Sequence, residues 1–71
     1  MSYVTIELKT NDKGGTAAEV KYTGVDLRVA EQAYHAALSE AATSGRPAHA
    51  AIIVDSLGNP LSFAGYEKAG E

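Results

Sequence analysis

Acid–base chemistry in this 71-residue chain would have to start from its two histidines, His35 and His49, and from Asp55, which closes the apolar run in HAAIIVDSLGNPLSF. His35 falls on the solvated side of a helical pattern. A metal site usually takes three or four ligands, so no metal and no cofactor are expected. His49 and Asp55 stand at opposite ends of one extended segment, and the residues between them span about 17 Å. That distance excludes a dyad. No serine sits in a GxSxG context, and Gly14, Gly15 and Gly24 read as turn and helix-entry residues rather than a phosphate cradle. No catalytic residue is assigned, and the expectation is a protein that is not an enzyme.

One polar cluster is expected from topology. If the chain reverses through a helix after its second strand, SGRPAH returns to the end of the sheet that holds NDKGG and the start of EKAGE. Lys13, Arg46, His49 and Lys68 then gather with Tyr66 nearby. Arg46 would be the fork that reads a carboxylate or phosphate. This cluster carries an alternative function, the binding of a small polar or anionic ligand or an enzymatic activity built upon it. Against it, Lys13 is an ordinary turn residue and Arg46 can serve the negative end of the helix.

The elements that would position these residues are read from periodicity. Tyr3 to Thr10 alternates strictly, with Val4, Ile6 and Leu8 on one side and Thr5, Glu7 and Lys9 on the other. After NDKGGT the alternation resumes with Ala18, Val20 and Tyr22. A hairpin is expected, with Gly15 as the left-handed residue and Lys9 and Glu7 opposite Glu19 and Lys21; a slip by two residues would oppose Glu7 and Glu19. Thr23 and Asp26 resemble a capping box, Tyr22 and Leu27 its staple, with Asp26 as the cap in the near alternative. Leu27, Ala30, Tyr34, Ala37, Leu38 and Ala41 then recur at helical spacing, and Gly45 and Pro47 end the helix. Ala50 to Val54 reads as a buried strand, Asp55 to Gly58 as a type I turn, and Leu61 to Tyr66 as a fourth strand.

The expected fold is therefore α+β: ββαββ, a four-stranded, mostly antiparallel sheet with one helix on one face. Residues 1–71 form a single domain with a frayed tail at about 68–71. Val4, Ile6, Leu8, Val20, Tyr22, Ala50, Ile52, Val54, Leu61 and Phe63 are expected beneath the helix. The opposite face would then show Tyr3, Ala51, Ile53, Ser62, Ala64 and Tyr66 as candidates for a partner surface.

Size and charge narrow the function. A chain of 71 residues without cysteine is near the lower limit for a single core and has no disulfide or thiolate metal to help it, which leaves association as the remaining route. The net charge is −3, and the six Lys and Arg are scattered. Nucleic-acid binding, which depends on concentrated positive charge, is not expected. Tyr3 and Tyr66 are also too few for base stacking. The longest apolar run is far short of a membrane span and no signal peptide is evident, so the expected setting is cytoplasmic and without membrane contact. The leading expectation is a small non-enzymatic interaction module of adaptor or inhibitor type, a build common among phage accessory proteins. It would bind protein through the open sheet face or the fourth-strand edge, or pair as a homodimer.

Overall fold

The computed structural model describes residues 1–11, 13–43 and 48–67, the side chain of Glu67 excepted. Asp12, Gly45, Arg46, Pro47 and the tail at 68–71, with Lys68, lie outside the described residues. The elements are β1 (Tyr3–Thr10), β2 (Thr16–Gly24), α1 (Leu27–Ala41), β3 (Ala48–Asp55) and β4 (Pro60–Glu67). The strands form one antiparallel sheet in the order β2-β1-β3-β4, with the single helix on one face, as the ββαββ reading requires.

Both hairpins close in the same way. Asn11 accepts from the N–H groups of Lys13 and Gly15 through Oδ1, its carbonyl accepts from Gly14, and its own N–H donates to the Gly15 carbonyl. Asp55 repeats each bond with Leu57, Asn59 and Gly58. The fourth residue of each turn is a glycine at positive φ, Gly14 at 83° and Gly58 at 85°, a region that L side chains enter only at a cost. The left-handed residue of the first turn is thus Gly14 and not Gly15. Asp55 opens a turn as expected.

The first hairpin takes the register that sequence reasoning set aside. Glu7 stands opposite Glu19, and Lys9 opposite Ala17. A bulge between Thr5 and Ile6 makes Lys21 the extra residue of β2. From there its ammonium reaches both carboxylates, 3.4 Å from Glu7 Oε1 and 3.3 Å from Glu19 Oε1. The expected like-charge repulsion is removed by a cation placed between the two.

The helix is capped by Asp26, whose Oδ1 accepts from the Arg28 N–H at 3.0 Å; the Tyr22 hydroxyl accepts from the N–H of Asp26. Asp26 as the cap is therefore the arrangement found. Ala30, Tyr34, Ala37 and Ala41 are buried, and Leu27 and Leu38 pack beside them. The alanines let the helix lie close to the sheet, so that the Thr5 hydroxyl donates to the Ala30 carbonyl at 2.8 Å.

The covered face is the opposite of the one expected. Ala51 and Ile53 are 1% and 0% exposed and join Ala30, Tyr34 and Ala37 in the core, while Thr5, Glu7, His49 and Asp55 are buried beside them. Of the residues expected beneath the helix, Tyr22 alone packs against this core, because the bulge at Lys21 turns it to the helix side. The reason is topological. Since β2 and β3 both run antiparallel to β1, the β2–α1–β3 connection crosses between parallel strands, and such crossovers are almost always right-handed. Asn11 directs its N–H and C=O toward β2, so by alternation the odd residues of β1 do too. For L residues, that lateral direction puts odd-numbered side chains on the face that a right-handed crossover covers. Chain chirality, not hydrophobicity, selects the helix side.

Candidate functional site

Two places carry unusual chemistry, one beneath the helix and one on the face that the helix leaves open. Beneath the helix, Glu7 and His49 come together from β1 and β3, with the His49 Nε2 and Glu7 Oε2 2.8 Å apart and both side chains sealed from solvent. A carboxylate only accepts, so Nε2 carries the proton and donates it. The second carboxylate oxygen lies 3.5 Å from Lys9 Nζ and 3.4 Å from Lys21 Nζ. Burial alone would raise the Glu7 carboxyl. The His49 hydrogen bond and the charges of Lys21 and Lys9 together outweigh it and hold Glu7 below its ordinary value. Lys21 is in turn held up, chiefly by its hydrogen bond to Glu19, against the opposing effect of its own burial.

A glutamate that orients a histidine is half of the arrangement by which hydrolases activate a nucleophile. Here the other half is missing among the described residues: His49 Nδ1 is buried and has no hydrogen-bond partner. No group of three acidic, histidine or cysteine side chains converges as a metal site there either. The cluster joins three strands of the sheet electrostatically. Asp55, at the other end of β3, is held low first by the N–H of Asn59, against its burial, and then by the further donors of its turn.

The polar-end candidates separate. Lys13 is exposed on the first hairpin turn, and Tyr66 stands across from His49 and is 54% exposed. His49 itself is 2% exposed and committed to Glu7. A depression of about 200 Å³ at this end is lined by Leu8, Lys9, Thr10, Thr16, Ala48, His49 and Ala50. Arg46 and Lys68 are outside the described residues. A second, broad depression runs along the exposed side of α1 past Asp26, Arg28, Glu31, Gln32 and His35.

The partner-surface candidates also need relocation. Ala51 and Ile53 belong to the core, and Tyr3 packs against it. Ser62 is paired with Ile53 and Ala64 with Ala51, so both point to the helix side at the β4 edge, as Tyr66 does. The open face belongs instead to the even-numbered positions of β1 and β3 and their cross-strand partners. Val4, Ile6 and Leu8 from β1 lie between Ala18 and Val20 of β2 and Ala50, Ile52 and Val54 of β3. Phe63 pairs with Ile52, and Leu61 is the extra residue of a bulge opposite Val54. Phe63 is 72% exposed, Val20 58% and Leu61 46%. None of the described side chains on this face is charged; the one acidic position in register with it among the described residues is Glu67, which pairs with Ala48 at the end of β4. The signal that could have found it was present in the sequence, since these were the apolar members of every alternation, and only the side to which the helix folds was misassigned.

No helix among the described residues is long and apolar enough to cross a membrane. Compared with known proteins, the chain matches no family model, no curated protein and no solved structure.

Proposed function

We propose that the protein is a non-enzymatic interaction module of adaptor or inhibitor type, working in the cytoplasm, which binds protein through the open face of its sheet. One observation carries this reading: the uncovered face holds the most apolar side chains of the sheet and no charge among its described side chains, with Phe63 72% exposed at its margin. Contiguous apolar surface of this kind is rare on a chain that works alone and marks an interaction site. Burying Phe63 fully against a partner contributes about 1.5–3 kcal/mol.

The reading is tested by two charge substitutions. Ile6→Lys and Phe63→Lys on the open face should abolish association, while Gln32→Lys on the exposed side of α1 should leave it intact. Association that survives both face substitutions would contradict the proposal. Ile53 is unsuitable for such a test, because it is a core residue and a charge there unfolds the domain.

A further inference from the structure

Resting on that reading, we infer that the occupant of the open face is a second copy of this chain, packed sheet against sheet with the two helices outermost. Charge is the first argument. Each copy carries a net charge of −3, yet no described side chain of the face is charged, and Glu67 stands only at its corner, paired with Ala48 at the end of β4. Two copies therefore meet without desolvating or opposing a charge in the middle of the face. A protein of ordinary surface would bring charges onto it, and an unpaired buried charge is strongly unfavourable.

Area is the second argument. Four strands spaced at about 4.8 Å and eight residues long at about 3.3 Å each give a flat area of about 500 Å² per copy, so the pair reaches the roughly 1,000 Å² that a specific interface needs. Core size is the third. Among the described residues, the buried apolar side chains of one copy are four alanines, Tyr34 and Ile53, a small core for a chain of 71 residues to rest on alone.

Side-chain size fixes the arrangement. The face is graded from small residues on β2, Ala18 and Val20, to large ones on β4, Leu61 and Phe63. Packed sheets keep a spacing of about 10 Å, so large residues must meet small ones. A two-fold axis parallel to the strands does this, because it lays β4 of one copy over β2 of the other. Phe63 then packs against Val20 of the second copy.

The chain has no cysteine, so introduced thiols report this arrangement directly. Within one copy, Val20 and Phe63 lie on opposite edge strands, about 14 Å apart across the sheet, beyond a reagent sized for facing residues. With a short bifunctional thiol reagent that bridges facing sheets about 10 Å apart, the Val20→Cys/Phe63→Cys double variant should be cross-linked to a covalent dimer nearly completely, each single variant only weakly, and the wild type should sediment as a dimer. More cross-linking in Phe63→Cys alone than in the double variant would put β4 over β4 and overturn the arrangement. A wild type that sediments as a monomer at high micromolar concentration would overturn the second copy as occupant, leaving the face for a different protein. A dimer that neither gives these cross-links nor dissociates with Phe63→Lys would overturn the face itself.

Discussion

Ile52 and Ile53 are neighbours in β3 and point to opposite sides: Ile53 is fully buried beneath α1, whereas Ile52 turns with Phe63 to the face that no described element covers. This inversion relative to the expected core decides where a partner can bind. It also ranks substitutions that sequence alone would rank the other way.

Ile53→Ala should destabilise the protein by about 2–5 kcal/mol, because it opens a cavity under a helix that cannot collapse onto it. Ile52→Ala should cost less than half of that in a dissociated copy. Urea denaturation at low protein concentration measures both. Equal losses would place both side chains in one core and contradict the assigned faces.

How much of this was legible follows from the same pair. The strands and the helix were readable because alternation and helical spacing depend on local sequence alone. The side on which the helix lies depends on strand order, which alternation does not contain. The turn residues did contain part of it, since Asn11 and Asp55 fix which way each hairpin hydrogen-bonds. Likewise Glu7 and His49, separated by 42 positions in sequence, meet only because β1 lies beside β3. The bulge at Lys21, a single extra residue, left no compositional mark that separates it from regular alternation.

Acid stability should depend on Glu7. Its folded carboxyl lies below the ordinary value of 4.5, so between the two values the unfolded chain binds more protons, and stability falls as pH falls. The contribution is complete above 4.5 and is lost as pH drops through the lower folded value. Glu7→Gln should lower stability at pH 7 by about 1–3 kcal/mol, since it removes the anion from a buried hydrogen bond and two ion pairs. It should also flatten the acid limb. Thermal melts from pH 7 to pH 2 provide the check; an unchanged acid limb in the variant would remove Glu7 from the account.

Lys21 should act as the shield between Glu7 and Glu19. Lys21→Ala should destabilise modestly, by about 0.5–1 kcal/mol given its partial exposure. Combining it with Glu19→Gln should recover most of the loss, because the opposed carboxylates no longer repel. A double-mutant cycle with no coupling would show that the two glutamates do not sense each other.

The two matching turns should respond in parallel. Asp55→Ala and Asn11→Ala each remove an oxygen that holds two backbone N–H groups, and each should cost about 1–2 kcal/mol. Gly14→Ala and Gly58→Ala should also destabilise, since both positions have positive φ. Asp55 differs in its pH response: it is held below its ordinary value of 3.8, so its contribution is kept above that value and lost in stronger acid. Chemical denaturation of the four variants separates these effects, and a stabilising Gly58→Ala would contradict the turn geometry.

The most direct test of the central claim is sedimentation equilibrium of the wild type and Phe63→Lys over the same concentration range, with circular dichroism reporting the fold of each. Phe63 is 72% exposed in the single copy, so the substitution leaves the protomer core untouched. The account predicts a dimeric wild type and a folded, monomeric Phe63→Lys. Identical masses for the two proteins at every concentration would contradict it.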